Sequence, residues 1–515
     1  MPETESQHVH QSYSTRSAVG LFLGPLVFLI LLIIPTPSGM TAEAQKMAAI
    51  ALLMATWWVT EAIPIPATSL IPVALYPLLH ISDPKTAAAP YANPLIFLFM
   101  GGFFIALAMQ RWNLHRRIAL LIIATIGLTP KRLILGFMIA TAFLSMWISN
   151  TATTVMMMPI GLAVIMNIQQ LLKENRMDRT RGTRFNFGTA LMLGIAYSAS
   201  IGGIGTLIGT PPNLILAGIV SEMYGRTIDF VTWMKVGIPL VCIVLPLAWL
   251  YLTNLAFPVR LKGIPGGEAA IRRELRGMGT MSRGERTVLI IFIAAALAWI
   301  FRSEKTLFGV TLYGLESFCP FIDDSTIAIG AAILLFLLPE RVSSGRFILN
   351  WEWAMKIPWG ALILFGGGLS LSKGFQISGL DAWIGHGVTG LQGISPIFIT
   401  LIIVASTAFL TELTSNTATT AMLLPILGTA AIGMGQNPLL LMIPAAVAAS
   451  LAFMLPVATP PNAVVYGSGY VRIPDMARAG LGMNLIGIMM LTILTYIVAM
   501  PAFGIILNHV PGWAR

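Results

Sequence analysis

A six-residue polar motif that occurs twice inside apolar sequence constrains this chain more than any other feature. Ser149-Asn150-Thr151-Ala152-Thr153-Thr154 returns 266 residues later as Ser415-Asn416-Thr417-Ala418-Thr419-Thr420, and each copy is followed by a proline at the same spacing, Pro159 and Pro425. A second pair keeps the order: Thr210-Pro211-Pro212-Asn213 returns as Thr459-Pro460-Pro461-Asn462, 249 residues on, and Gly101-Gly102 has its counterpart in Gly366-Gly367. The chain therefore reads as two related halves.

Composition says which solvent those halves meet. Of 515 residues, 56% are hydrophobic and only 10% charged, with a mean hydropathy of +0.81; soluble domains carry about a quarter charged residues. Apolar runs close to the ~20 residues needed to cross a bilayer recur along the whole length. The fold class expected is an all-α polytopic membrane protein. Eleven crossings are predicted near 18–34, 45–62, 64–80, 93–110, 187–224, 232–256, 286–301, 324–339, 357–373, 438–470 and 480–505. Two re-entrant hairpins are predicted near 132–169 and 395–433, each carrying one copy of the six-residue motif.

Charge supports this layout. With the N-terminus in the cytoplasm, 23 of the 31 Lys and Arg residues fall on the inner side and 8 on the outer, as the positive-inside rule requires. Were either hairpin a full crossing, every later loop would change sides. The net charge of +10 is thus read as membrane topology, and no nucleic-acid partner is expected. The polar start, followed by an apolar run ending at Pro35 and Pro37 rather than at a small-x-small site, reads as a retained first span. The expected location is the cell (inner) membrane, multi-pass, with a cytoplasmic N-terminus and an extracytoplasmic C-terminus.

The units are a polar tail (1–17), a first helix and loop (18–44), a first repeat (45–259), a cytoplasmic linker (260–285), a second repeat (286–505) and a C-terminal tail (506–515). An odd number of crossings separates the repeats, so the second enters from the opposite face. Inverted-topology repeats of this kind are common in secondary transporters.

Polar residues deep in hydrocarbon are costly unless their groups find partners. Two half-helices meeting at each motif resolve this, since Ser and Asn are good N-caps. The second half-helix then presents free backbone N–H groups and positive dipole charge. Two such ends facing each other suit a substrate with two carboxylates. The paired prolines at 211–212 and 460–461 must break the fifth and tenth crossings, and the carbonyls freed there can meet a cation. Neither motif holds Lys or Arg, so a dianion needs co-bound cations as compensation. Hydroxyl, amide and carbonyl oxygens are hard ligands suited to alkali or alkaline-earth ions. Glu412 beside the second motif reads either as a cation or proton ligand or as an internally paired group. Glu61 reads as a cap for the next short helix.

These motifs, with Arg111-Trp112-Asn113-Leu114-His115 and Ser450 to Val465, resemble the divalent anion–sodium symporter family over about residues 45–500. The resemblance implies a homodimer with scaffold and transport domains working as an elevator, and sodium as the coupled ion. It implies that Asn150, Thr151, Asn416, Thr417, Thr459, Pro460 and Thr210 contact the substrate carboxylates. It places one sodium at Ser145, Ser149, Asn150 and Gly209, and another at Thr411, Thr414, Asn416 and Ala458. No Lys or His replaces either ion, which favours a symporter over the family's sodium-independent exchangers; from the paired motifs, the substrates expected are C4 dicarboxylates such as succinate, malate or fumarate. The alternatives are a sodium-independent exchanger and a citrate or sulfate transporter of the same family. An intramembrane enzyme is not expected, because Ser149 and Ser415 have no His or acid placed to activate them. Six histidines without paired spacing and two isolated cysteines, Cys242 and Cys319, give no reason to expect transition-metal or disulfide chemistry, and no organic cofactor is expected.

Overall fold

The computed structural model describes residues 14–514 apart from 128, 175–184, 261–266, 308–309, 342, 344 and 392. Most of the polar tail, most of the basic stretch 173–184 and part of the 260–285 segment lie outside the described residues.

The fold is helical. Among the described residues, five helices are long and apolar enough to cross a membrane: Thr15–Ile33, Pro84–Arg111, Asn150–Gln170, Phe230–Ala256 and Ile473–Phe503. Shorter apolar helices include Asp324–Leu337, Pro396–Thr411 and Leu439–Ala448. The first of the long helices leaves Phe22 75% and Ile33 80% exposed. A continuous apolar face of that kind has no place in water and suits a lipid surround.

Both expected hairpins have a break at the motif. In the first, a limb Pro130–Ser145 turns through residues 146–149 into Asn150–Glu174. In the second, Pro396–Thr411 turns through 412–415 into Asn416–Gly433. Both expected broken helices are broken at the paired prolines: Asn186–Gly203 resumes as Pro211–Tyr224, and Leu439–Ala448 resumes as Pro460–Tyr466.

Elsewhere the structure differs from the sequence expectation. The span near 64–80 is two pieces, Ile65–Thr68 and Ile71–Leu78, because Pro72 has no N–H to continue the first piece and its ring clashes with the carbonyl four residues back. Two further helices, Leu114–Ile126 and Leu380–Gly387, occupy stretches expected to be loops. They begin 266 residues apart, at the same offset as the motif, and each packs on a limb of the following hairpin. Neither is long enough to span, so a length criterion passes over both. The linker contains a helix, Gly267–Gly277, which packs on Leu114–Ile126 and carries Glu274 to an ion pair with Arg116. Two short antiparallel strand pairs, Lys305–Leu307 with Val310–Leu312 and Pro339–Arg341 with Arg346–Phe347, interrupt the all-helical pattern.

The break in the first half is packed by close backbone approach. A Cβ built at Gly202 would lie 2.3 Å from the carbonyl oxygen of Ala142 on the first hairpin. Gly202→Ala must push the two helices apart, at a cost of about 1–3 kcal/mol. A lowered thermal unfolding midpoint of the purified protein checks this.

Candidate functional site

The two hairpin tips are capped alike. Ser149 Oγ accepts from Ala152 N at 3.3 Å, and Ser415 Oγ accepts from Ala418 N at 3.4 Å. Each second limb starts at the Asn of its motif, so the amides of its first two residues, Asn150 and Thr151 or Asn416 and Thr417, have no intrahelical acceptor and point off the helix end.

Behind each Asn sits a cluster of oxygens. Ser145 Oγ lies 2.6 Å from Asn150 Oδ1 and 2.7 Å from the Ala199 carbonyl. Thr411 Oγ1 lies 2.6 Å from Asn416 Oδ1 and 2.9 Å from the Ala449 carbonyl. One hydroxyl has one proton to share between two acceptors. Each cluster therefore holds an excess of lone pairs, the chemistry that favours a hard cation. Ser145 and Thr411 are both fully buried.

The paired prolines have a partner that the sequence did not reveal. Thr210 and Thr459 are extended (φ −147° and −141°) and lead into Pro211 and Pro460 as the first helical residues. The Asn that closes each motif then turns back on the unwound segment. Asn213 Nδ2 donates towards the carbonyls of Gly203 (3.1 Å), Ile204 (3.4 Å) and Thr206 (2.7 Å). Asn462 Nδ2 donates towards those of Ala452 (3.2 Å) and Leu455 (3.0 Å). Some of the carbonyls that the breaks free are thus held by the protein itself. Asn213→Ala leaves three of them without this donor, and the unwound path around Gly209 should loosen. With a sodium expected at Gly209, half-saturation by sodium should rise about tenfold, corresponding to the ~1.4 kcal/mol of one lost hydrogen bond, measured as sodium-dependent uptake.

The tips and breaks meet around one cavity of ≈ 1090 Å³. Eleven of the thirteen residues singled out from the sequence line it: Ser149, Asn150, Thr151, Gly209, Thr210, Thr414, Asn416, Thr417, Ala458, Thr459 and Pro460. Ser145 and Thr411 lie behind, bonded to the two Asn side chains. The Thr414 hydroxyl is engaged locally, 2.9 Å from the Leu410 carbonyl and 2.6 Å from Thr419 Oγ1. Phe99 and Phe103 add apolar wall, and Arg16, Glu61 and Lys356 add charge.

Glu412 resolves in favour of internal pairing. Its carboxylate accepts from Phe453 N (2.7 Å), Met454 N (2.9 and 3.1 Å), Leu455 N (3.2 Å) and Asn484 Nδ2 (2.8 Å). It thereby fixes the start of the second unwound segment. Glu61 is no cap for the following helix. It ends the helix Ala42–Thr60 in a left-handed conformation (φ 51°) and pairs with Arg16 at 3.2 Å.

With this geometry in place, comparison with known proteins is specific. The profile of the sodium:sulfate symporter transmembrane region matches residues 15–505. The chain belongs to this family. Among its relatives are the sodium-dependent dicarboxylate transporters SdcS of Staphylococcus saprophyticus and Staphylococcus aureus. The former is 46% identical over 497 residues, covering 96% of this chain and 94% of that one. A Staphylococcus aureus MRSA252 protein is 47% identical over 498 residues, with the same coverage. These relatives are transporters, and the enzyme alternative falls with that finding.

Solved structures extend the likeness of fold alone. The Alcanivorax borkumensis YdaH transporter superposes with a TM-score of 0.56 at 14% identity, covering 95% of this chain and 99% of its own. Neisseria gonorrhoeae MtrF, described with a class of antimetabolite efflux pumps, gives 0.55 at 11%, covering 93% and 94%. A multi-pass helical transporter fold of the sodium:sulfate symporter family is therefore the frame for the cavity.

Sequence reasoning missed Arg16, Lys356, Phe99, Phe103 and the two clamping asparagines. Asn213 and Asn462 carried a signal, being part of the repeated motif. Arg16 and Lys356 carried none, since only folding brings them to the same mouth.

Proposed function

We propose that this protein is a secondary active symporter that imports C4 dicarboxylates, such as succinate, malate and fumarate, together with sodium. The observation that carries this reading is the convergence of both motifs on one cavity, each backed by an oxygen cluster rich in acceptors. The relatives named sodium-dependent dicarboxylate transporters support the substrate class and the ion.

In this reading Asn150, Thr151, Asn416 and Thr417 present side chains and first-turn amides to the two carboxylates. Thr210, Thr459 and Pro460 close the sides. One sodium lies among Ser145, Ser149, Asn150 and Gly209, and another among Thr411, Thr414, Asn416 and Ala458. Their charge offsets the desolvation of a dianion in a cavity whose motifs hold no cation. Arg16 and Lys356 belong to the side richer in basic residues, so the cavity opens towards the cytoplasm, with the N-terminus on that side and the C-terminus opposite. Eleven crossings and two re-entrant hairpins, organised as scaffold and transport domains of an elevator in a homodimer, complete the reading.

The test is transport by the full chain in liposomes. Labelled succinate should accumulate under an inward sodium gradient and not under potassium or choline. Equal accumulation in all three defeats the coupling, and accumulation that requires internal dicarboxylate while ignoring sodium identifies an exchanger. Competition by citrate or sulfate stronger than by malate would move the substrate class within the family.

A further inference from the structure

The two hairpin tips, equivalent by sequence, are held by unlike means. In the first, Trp147 packs its ring against Phe230 (centroids 6.0 Å apart) and Phe292 (4.9 Å). The residue 266 positions later is Leu413, whose side chain is 59% exposed and lines the cavity. No aromatic anchor holds that tip among the described residues. Instead Arg16 of the first helix reaches across: its Nη1 donates to the Leu413 carbonyl at 2.7 Å, and its Nη2 to Glu61 Oε1 at 3.2 Å.

Resting on the symport reading above, we propose that Arg16 is a positioning residue for the second hairpin, tethering its tip to the first helix in the state whose cavity opens at Arg16, Glu61 and Lys356. Leu413 sits between Thr411 and Thr414, so the tether acts on the turn that carries the second oxygen cluster. Glu61 orients the guanidinium from the end of Ala42–Thr60, a helix that packs along the first helix. First helix and second-helix end thus form one support, and the tip is the part that leaves it. A bond made in one state and absent in the other shifts the population towards the first. Because Arg16 and Glu61 are about half exposed, the effect on the population is modest.

The test uses accessibility from the mouth. In a Cys242→Ser, Cys319→Ser background, Val457→Cys places a thiol on a residue that is 84% exposed in the cavity. Inside-out vesicles without sodium or dicarboxylate are treated with a membrane-impermeant thiol reagent. Adding Arg16→Gln is expected to slow modification about threefold, with Arg16→Lys recovering part of the rate. Glu61→Gln, which frees one side of the guanidinium, should slow it about twofold and decides the matter if Arg16→Gln is not recovered folded. Wild-type rates in Arg16→Gln, or in Glu61→Gln under that condition, overturn the tether. Sodium-dependent uptake by the parent protein is measured in parallel. Its absence would sink the symport reading and leave the labelling difference to speak for the tether alone.

Discussion

Asn416→Asp is expected to reduce sodium-dependent succinate uptake by roughly two orders of magnitude while the protein still folds, and Asn150→Asp should do the same from the other half. Each Asn presents Oδ1 to a buried hydroxyl at 2.6 Å and lines the cavity. An aspartate there keeps the shape but adds a negative charge where the proposed function has a dianion bind. A like charge about 5 Å away, at an effective dielectric of about 20, costs about 3 kcal/mol, which is about two decades of affinity. Uptake assays on proteoliposomes, with elution profiles checked against wild type, measure the loss. Wild-type uptake in either variant removes that residue from the site.

Glu412→Gln is expected to destabilise the protein, and Glu412→Ala to do so further, and the first of these separates two roles for the carboxylate. Four donors converge on it, three of them backbone amides of the unwound segment. A carboxylate is acceptor-only and suits them all, whereas a carboxamide turns an NH2 towards at least one N–H. Leaving a buried amide unsatisfied costs about 1–3 kcal/mol per group, so Glu412→Gln should lose about that much and Glu412→Ala, which removes the acceptor of all four donors, more. A sharp fall in the thermal unfolding midpoint and in uptake checks the expectation. If Glu412→Gln keeps wild-type stability and only its pH response changes, Glu412 is a proton carrier and not the organiser of the break.

The two predictions draw on different depths of the sequence. The tips, the proline breaks and the glycine pair are legible because duplication repeats them at fixed offsets, and because a polar triplet in apolar sequence has few physical resolutions. Asn150 and Asn416 therefore stand out in the amino-acid sequence alone. Glu412 can be noticed there but not interpreted, since its partners lie 41–43 and 72 residues away and its counterpart in the first half is Met146. The symmetry that reveals the site also hides this departure from it. Arg16 lies further out of reach, bonded to a carbonyl 397 residues away. The helices Leu114–Ile126 and Leu380–Gly387 fail a span-length rule that suits only membrane-crossing segments. The span near 64–80 is found by its hydrophobicity, which does not reveal that it is built from two helical pieces.

Asparagine clamps show how tertiary contact changes a local reading. From the sequence, the paired prolines free carbonyls for a cation. In the folded chain Asn213 and Asn462 take up several of them, while the oxygen surplus sits one step away, at Ser145 with Ala199 and at Thr411 with Ala449.

Equilibrium binding of succinate by the purified protein, titrated across sodium concentrations, bears most directly on whether cations complete a single anion pocket made by both halves. Linkage demands reciprocity: sodium should tighten succinate binding, and succinate should tighten sodium binding by the same factor. Succinate affinity that stays constant from sodium-free buffer to saturating sodium would contradict the shared site.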